Sequence, residues 1–540
     1  MGTPLELGTS AHLDTFTRDH LPPPGTWPEL LFTLPELAFP PVLNCAEALL
    51  DGTARRLGPE RRCLVTPTET WTYGQLVARS NQVARALVED VGLVPGNRVL
   101  LRGPNNPWLV AAWFGVIKAG GVAVATMPML RAGELRTIGE MARPRVALCD
   151  ARFTGELVAA GIADLAIVPY GGESDGDLVR RCASRPDAFA PVPTSSDDVC
   201  MLAFTSGTTG RPKATMHFHR DLLATIHTFS RHLLRPRPDD LFAGSPPLAF
   251  TFGLGGLVTS PLHAGAAALL LEQAGPDQLL EAVGRHRVSV LFTAPTAYRA
   301  MLAGLDRADV RSLRRCVSAG ETLPAATWTA FHDATGLSII DGLGSTELLH
   351  IFIGSADEDC RPGFTGRVVP GYVAEVQDES GRPVPDGEMG LLAVKGPTGC
   401  RYLHGERQGE YVRAGWNLTG DVYVRDPDGY FQYQARADDM IVSAGYNISA
   451  PEVENALLRH PEVAETAVVG VPDQERGMIV KAFVVLRPGV PSAGATAAAL
   501  QDFVKGEIAP YKYPRAVEFV DALPRTATGK LQRFRLRAGG

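Results

Sequence analysis

A run of small hydroxyl residues, glycines and one lysine at residues 205–213, TSGTTGRPK, has the chemistry of an anion site. Glycine lets the backbone approach an anion closely, and successive backbone N–H groups can form an anion-binding nest. The hydroxyls add further donors, and Lys213 adds a positive charge. The run is not a P-loop of the GxxxxGK[ST] type, because arginine and proline follow Gly210. A polar hairpin turn uses the same residue types, so composition alone leaves both interpretations open.

The elements that must position such a site form an alternation of short apolar strands and amphipathic helices. Candidate strands are RVLLRG, VALCD, DLAIVPY, VSVLFTA and LRRCVSAG, beginning at residues 98, 146, 164, 288 and 313. Residues 72–89 and 106–119 carry apolar residues at three- and four-residue spacing, which indicates helices. The alternation predicts an α/β fold with helix-covered, mostly parallel sheets.

The pattern changes in the last third of the chain. After about residue 360 the candidate strands are short and separated by glycines, which predicts a small β-barrel-like unit. From residue 437 a new alternation of strands and helices predicts a compact α+β unit. We therefore expect a large N-terminal domain over 1–436 and a small C-terminal domain over 437–540.

Charge and cysteine content limit the class of protein. A net charge of -7 gives no global attraction to nucleic acid or to an anionic membrane. The eight cysteines form no CxxC pair, which argues against a disulfide framework or metal cluster and favours a reduced, cytoplasmic compartment. Residues 243–271 contain no Asp, Glu, Lys or Arg, but Gly, Pro and His interrupt them repeatedly. We expect buried loop, helix and strand there, not a membrane span.

Residues 205–214 also resemble the signature of the adenylate-forming superfamily, which includes acyl- and aryl-CoA synthetases, luciferases and peptide-synthetase adenylation domains. Further motifs of this family follow in the family's order. They are PPLAFTFGLGG (246–256), DGLGSTE (341–347), TGD (419–421), RADDMIVSAGYNI (436–448) and PRTATGK (524–530). Within the superfamily, ATMHFHRD (214–221) and GSTELLHIF (344–352) are most similar to the benzoate-CoA ligase branch.

The resemblance implies an acid–thiol ligase that uses ATP, Mg²⁺ and coenzyme A. The acid carboxylate attacks the α-phosphate of ATP and releases pyrophosphate; the thiol of coenzyme A then displaces AMP from the acyl-adenylate. The expected acid is aromatic, of the benzoate or 2-aminobenzoate type. Two alternatives stay open: loading of the aryl acid onto a carrier-protein thiol, and a CoA ligase for an aliphatic or arylalkanoic acid. A monomer or homodimer is expected, without nucleic-acid or membrane partners.

By the same resemblance, Glu347 binds Mg²⁺, a hard cation that prefers oxygen ligands, and Thr346 donates to the α-phosphate. Asp421 accepts the ribose hydroxyls. The whole expected ATP and AMP site is Thr205, Ser206, Gly207, Thr208, Thr209, Gly210, Lys213, Gly320, Glu321, Thr322, Asp341, Gly342, Thr346, Asp421 and Arg436. Taken alone, Glu347 could instead be a carboxylate at a helix N-terminus, and Asp421 could belong to a simple turn.

The resemblance gives Lys530 the central role in the first step, because an ammonium can hold the carboxylate and the α-phosphate together and offset developing charge. The alternative is a solvated basic tail, because residues 525–540 contain five basic and no acidic residues. Asp438 is the expected hinge about which the C-terminal domain rotates between the two steps. The expected tunnel for coenzyme A is Ala444, Gly445 and Tyr446.

The expected acid site consists of His217, Phe250, Phe252, Gly342 and Gly344. An aromatic wall with small residues beside it suits a flat ring, which gains from stacking. The alternative is that both phenylalanines belong to the core and that His217 is structural.

Overall fold

The computed structural model describes residues 7–205, 212–405, 407–437, 440–443, 446–473, 476–525 and 531–538. Its strands are β1 Arg62–Val65, β2 Thr70–Thr72, β3 Arg98–Arg102, β4 Val122–Thr126, β5 Val146–Asp150, β6 Ala166–Tyr170, β7 Val199–Thr205, β8 Lys213–Phe218, β9 Leu241–Gly244, β10 Ala267–Leu269, β11 Val290–Thr293, β12 Arg315–Ala319, β13 Ile339–Gly344, β14 Ile351–Gly354, β15 Arg367–Val368, β16 Val373–Gln377, β17 Met389–Lys395, β18 Val412–Arg413, β19 Trp416–Arg425, β20 Phe431–Arg436, β21 Ile441–Ser443, β22 Tyr446–Ile448, β23 Val463–Asp473, β24 Gly477–Leu486 and β25 Ala516–Phe519.

The α-helices lie mostly between these strands in the sequence. They are α1 Phe16–Asp19, α2 Gly52–Leu57, α3 Tyr73–Val91, α4 Pro107–Lys118, α5 Ala132–Ala142, α6 Thr154–Ala160, α7 Leu178–Ala183, α8 His219–Thr225, α9 Thr251–Leu254, α10 Ser260–Ala264, α11 Pro276–His286, α12 Pro295–Met301, α13 Ala325–Thr335, α14 Gln408–Tyr411, α15 Ala450–Leu458, α16 Gly494–Glu507 and α17 Arg533–Ala538.

Two large, mostly parallel sheets form the body of the chain. The six-stranded sheet has the order β6-β5-β3-β4-β7-β8, and β8 alone runs antiparallel to its neighbour. The nine-stranded sheet has the order β15-β14-β13-β12-β11-β9-β10-β1-β2, with a parallel centre and antiparallel strands at both edges. This arrangement confirms the predicted fold class, in which helices cover parallel strands.

The remaining strands form smaller sheets. The β-rich unit predicted after residue 360 is a five-stranded antiparallel sheet in which β19 pairs with β17, β18 and β20. In the C-terminal part, β23, β24 and β25 form a three-stranded sheet, and β21 pairs with β22. Helices α15 and α16 contribute to its separate apolar core. The division at residue 436 stays a prediction, although β20 ends there.

Local sequence explains why the two predicted long helices form where they do. Thr72 caps α3 with a capping box in which Gln75 bonds back to the N-cap, and Gly92 ends the helix in the left-handed region at φ 66°. Asn106 caps α4, and a proline occupies its first turn. Their buried faces pack in one core with residues of both large sheets, so the helices lie between the sheets.

The long uncharged stretch at 243–271 contains the end of β9, helices α9 and α10, and β10, and most of its residues are buried. Across the parts of the chain that the structure describes, no helix is both long and apolar enough to cross a membrane. The cysteines are free thiols. Cys45 and Cys200 lie beside His219 in the buried interior.

Candidate active site

Two groups of residues predicted to bind the nucleotide, Gly320 to Thr322 and Asp341 to Gly342, lie at the carboxyl ends of the neighbouring strands β12 and β13. These strands are parallel neighbours, with Ser318 opposite Asp341. Gly320 follows β12 with φ 90°, a conformation that favours glycine, and turns the chain toward Glu321. Burial raises the pKa of Asp341 well above its usual range. Carboxyl ends of parallel strands are where ligands commonly bind in such sheets.

Thr346 and Glu347 lie in a turn after β13 that leads into the antiparallel strand β14. The alternative of a carboxylate at a helix N-terminus is therefore wrong for Glu347, since no helix starts there in the structure as described. Leu349 adopts a positive φ of 73° within this turn. The turn holds both residues beside the edge formed by β12 and β13.

Tyr402 connects Glu347 with Lys213, which is far from it in sequence. The Tyr402 hydroxyl donates a hydrogen bond to Glu347 Oε1 at 2.6 Å. Lys213 Nζ lies 5.3 Å from the centre of the Tyr402 ring, a cation–π distance. Burial and the Glu347 carboxylate raise the pKa of Tyr402, so its hydroxyl remains a donor. Burial lowers the pKa of Lys213, and nearby Arg407 adds to this.

A series of buried polar side chains ends in a hydrogen bond to the backbone of Thr346. His217 Nε2 donates to the carbonyl oxygen of Thr346 at 2.8 Å. His217 Nδ1 lies 3.8 Å from Asp221 Oδ2, and Arg401 pairs with the same carboxylate. Burial alone would raise the pKa of Asp221, but Arg401 and His217 outweigh burial and lower it. These contacts agree with the alternative that His217 has a structural role. Contact between His217 and the acid stays a prediction.

Asp421 and Arg436 lie opposite each other on the antiparallel strands β19 and β20. Arg436 Nη1 is 3.0 Å from Asp421 Oδ1 and 3.2 Å from the carbonyl oxygen of Thr419. Asp421 is therefore held in a strand, not in an isolated turn. The predicted ribose residues are brought together, and the pair can present oxygen and nitrogen to vicinal hydroxyls.

The predicted phosphate loop joins two antiparallel strands, since Thr205 at the end of β7 pairs with Lys213 at the start of β8. This antiparallel pairing is compatible with both the hairpin alternative and phosphate binding, since the connecting residues 206–211 lie outside the described residues. Several predicted residues lie outside the described residues: Ser206, Gly207, Thr208, Thr209, Gly210, Asp438, Ala444, Gly445 and Lys530. For Tyr446, the structure describes its place in β22.

The aromatic wall predicted for the acid contains a histidine that sequence reasoning missed. Phe252 packs 5.5 Å from Phe292 and 6.3 Å from His350, measured between ring centres. His350 is buried with no hydrogen-bond partner for either ring nitrogen within the part of the chain described. Burial lowers its pKa to about 4. Phe250 is half-buried and precedes α9. The signal for His350 was its place in GSTELLHIF.

The glycines predicted beside the ring are required by close packing of the chain itself. A Cβ on Gly342 would lie 2.4 Å from Ile351 Cδ1, and one on Gly344 would lie 2.7 Å from the carbonyl oxygen of His350. Both distances are too short for a side chain. Contact of these glycines with an aryl ring stays a prediction. Tyr402 and Arg401 were also missed, because their roles depend on contacts between segments distant in sequence.

These residues lie on a helix-covered, mostly parallel-sheet scaffold, as expected for an AMP-forming acid–thiol ligase. The chain belongs to the AMP-binding enzyme family, whose model matches residues 50–402, and residues 452–530 match the AMP-binding enzyme C-terminal domain. The resemblance stated from the sequence motifs is thereby confirmed.

Relatives of defined activity resemble the chain over nearly its whole length. Benzoate–CoA ligase of Thauera aromatica is 35% identical over 94% of this chain and 98% of its own. 3-Hydroxybenzoate–CoA ligase of Aromatoleum sp. (strain CIB) is 33% identical over 92% of this chain and 96% of its own. Among solved structures, the anthranilate CoA ligase AuaEII in complex with anthranoyl-AMP has a TM-score of 0.88 at 35% identity, covering 94% of this chain and 99% of that one.

Proposed function

We propose that this chain activates benzoate or 2-aminobenzoate as the aryl-adenylate and transfers the aryl group to coenzyme A. The wider class, an AMP-forming acid–thiol ligase that uses ATP, Mg²⁺ and coenzyme A, is the one that its relatives support and that the sequence predicted. The observation that carries the chemistry is the meeting of Lys213, Glu347 and Thr346 around Tyr402 and His217.

In the first step, the carboxylate oxygen of the acid forms a bond to the α-phosphorus of ATP, and pyrophosphate leaves. Lys213 places positive charge beside the departing phosphates, and Thr346 offers a hydroxyl to the α-phosphate. Glu347 is the residue that fits Mg²⁺, since its carboxylate is half-buried and oriented by Tyr402. Mg²⁺, when bound, neutralises phosphate charge. Asp421 and Arg436 fix the ribose, and Glu321 and Asp341 flank the base.

In the second step, the thiol of coenzyme A loses its proton and its sulfur attacks the carbonyl carbon of the adenylate; the thioester forms and AMP leaves. We assign the first step to Lys530 and the approach of the thiol to Ala444, Gly445 and Tyr446. Rotation of residues 437–540 about Asp438 would bring first Lys530 and then Ala444 to Tyr446 to the carbonyl group of the acid. One site could therefore serve both reactions.

An aromatic acid is supported by the apolar wall around Phe252. A benzoate ring can pack on Phe252 and beside Phe250, which provides area without polar partners. His350, whose nitrogens have no partner in the described protein, offers a hydrogen-bond acceptor or donor to a ring substituent. The names of the relatives, benzoate, 3-hydroxybenzoate and anthranilate ligases, agree with a substituted benzoate.

The test is pyrophosphate release by the purified chain with a panel of benzoates, arylalkanoates and fatty acids, followed by thioester analysis with coenzyme A and with a holo carrier protein. We expect benzoate or 2-aminobenzoate to give the highest kcat/KM, and coenzyme A to be the better acceptor. Faster release with a medium-chain fatty acid would contradict the aromatic wall. Preferential loading of the carrier protein would favour the alternative function.

A further inference from the structure

Ion pairs connect the C-terminal part of the chain to the edge of the nucleotide site. Arg299 on α12 places Nη2 2.7 Å from Oε1 of Glu465, which lies on β23. Arg525 places Nη2 2.8 Å from the other oxygen of Glu465. Arg525 Nη1 also lies 4.0 Å from Oε1 of Glu321, which follows β12. One cluster of charged side chains thus joins the C-terminal part of the chain to residues that lie far from it in the sequence.

One member of the cluster, Arg525, directly precedes in sequence the segment 526–530 that contains Lys530. The backbone of Arg525 pairs with that of Leu531, so these two residues bound the segment 526–530. Glu321 belongs to the residues that we assign to the adenine. A contact between Arg525 and Glu321 therefore sets where the segment with Lys530 begins relative to the nucleotide.

The cluster is partly shielded from solvent, which makes its charges effective. The side chains of Arg299 and Arg525 are each 28% exposed, and that of Glu321 is 17% exposed. Burial alone would raise the pKa of Glu465, but Arg525 and Arg299 lower it, so the carboxylate is ionised at neutral pH. Shielded pairs that share one carboxylate hold geometry better than isolated surface pairs, which contribute little.

We infer that Arg299, Glu465 and Arg525 are positioning residues that hold the C-terminal unit in the pose serving adenylation. This inference rests on the proposed function. The contacts cannot all persist if residues 437–540 rotate, because Arg299 and Glu321 stay with the N-terminal domain while Glu465 and Arg525 move. The cluster favours the first half-reaction and must open before the second.

The test separates the two half-reactions in the variants Arg299→Gln, Glu465→Gln and their combination. The first is benzoate-dependent exchange of pyrophosphate into ATP, and the second is thioester formation from supplied benzoyl-AMP and coenzyme A. We expect each single variant to lower exchange about five- to tenfold, with thioester formation unchanged or faster. The double variant should lose less than the product of the single losses, because both changes break one contact.

Two control variants carry the same changes away from the cluster. Glu518→Gln breaks the pair with Lys481 on the neighbouring strand, and Arg307→Gln changes an exposed arginine just beyond α12. Neither should separate the half-reactions. Added KCl should lower exchange in the wild type more than in Glu465→Gln, because salt screens the cluster.

The possible outcomes distinguish this inference from the proposed function. Equal losses in both half-reactions, or unchanged exchange in Glu465→Gln, would overturn the positioning role while leaving the ligase activity established. If the wild type exchanged pyrophosphate with no aryl acid, the proposed function would fail, and the inference with it.

Discussion

The hydroxyl of Tyr402 orients the Glu347 carboxylate, which we propose as the Mg²⁺ ligand. The hydrogen bond to Glu347 is short, at 2.6 Å, and it comes from a strongly buried side chain whose ring also faces Lys213. A hydrogen bond to an ionised group contributes more to function than one between neutral groups. One tyrosine therefore contacts both Lys213 and Glu347, the cationic and the anionic side chains of the proposed phosphate site.

The variant Tyr402→Phe should lower the rate of benzoate-dependent pyrophosphate exchange about tenfold or more and raise the Mg²⁺ concentration needed for half-maximal rate. The reason is that hydrogen bonds to charged groups contribute about 1.5–3 kcal/mol. Exchange assays over a Mg²⁺ series measure both effects. Tyr511→Phe, at an exposed tyrosine, should change neither. An unaltered Mg²⁺ dependence in Tyr402→Phe would contradict the orienting role.

The variant Lys530→Ala should abolish acid-dependent pyrophosphate exchange but keep thioester formation from supplied aryl-adenylate. Removal of one preorganised donor typically costs a factor of about 10² to 10³. Both rates can be measured on the same preparation. If the two rates fell equally, Lys530 would not be specific to the first step.

For single residues, the sequence predicts those that lie within motifs better than the side chains that hold them in place. Lys213, Glu347, Asp421 and Arg436 were predicted from local motifs. The structure brings Lys213 and Glu347 to Tyr402, and it pairs Asp421 with Arg436. Tyr402 carried no comparable signal. Its role arises because β8 and the segment at Tyr402 are neighbours through a bridge between Thr215 and Tyr402, a contact across a long stretch of chain.

Among the elements, α9 and the residues that follow it are packed directly against the turn from β13 to β14. A Cβ on Gly255 would lie 2.1 Å from His350 Cδ2 and 2.2 Å from Nε2. No side chain fits there unless the histidine ring moves. The absence of a side chain at Gly255 thus lets the residues after α9 pack closely against His350 in the aromatic wall.

Gly255→Ala should raise KM for benzoate at least tenfold and lower the free energy of unfolding by about 1–3 kcal/mol, as overpacked cores do. Steady-state kinetics and urea unfolding measure the two effects. Gly133→Ala is the matched control, because this helical glycine in α5 has open space where a Cβ would lie. The control should be neutral or more stable by up to about 1 kcal/mol. Normal benzoate kinetics in Gly255→Ala would contradict the packing argument.

Elements with strong local patterns were predicted well, and those set by pairing were not. Thr72 and Asn106 mark the starts of α3 and α4, as expected from capping chemistry. The stretch after Thr346 could equally begin a helix, since Glu and Leu are good helix formers. The structure instead forms β14, because pairing with β13 and β15 outweighs that local preference.

For the whole molecule, buried neutral histidines make stability depend on pH. Burial lowers the pKa of both His12 and His350 to about 4, against an ordinary value of 6.5. Because the folded pKa is depressed, the stabilisation is present above pH 6.5 and is lost as the pH falls toward 4. The protein should therefore lose stability over the range where these side chains are neutral when folded and protonated when unfolded.

The free energy of unfolding should fall between pH 7 and pH 5.5 by roughly 1 kcal/mol for each such histidine. In His350→Phe, which keeps a ring against Phe252, this loss should shrink by about that amount. Urea unfolding at both pH values measures it. His404→Gln, at an exposed histidine, should keep the wild-type slope. A wild-type slope in His350→Phe would contradict the assignment.

The overall architecture followed from alternation of strands and helices, because parallel strands need covering helices and long crossovers. The order of strands did not follow, since it depends on which of many apolar strands become neighbours. The structure places β9 between β10 and β11, for example, and no sequence spacing indicates this. The boundary at residue 436 and the hinge at Asp438 stay predictions.

The pairing of Thr205 with Lys213 has a consequence for how this enzyme could change over time. Both ends of the phosphate loop are anchored in the six-stranded sheet, whereas the aromatic wall belongs to α9 and the strands of the nine-stranded sheet. Lengthening a loop with fixed ends costs little, about 0.6 kcal/mol for each doubling. If the 205–213 loop binds the departing phosphates as we propose, a change in its length would alter pyrophosphate release without moving the aromatic wall, so the two properties can change separately.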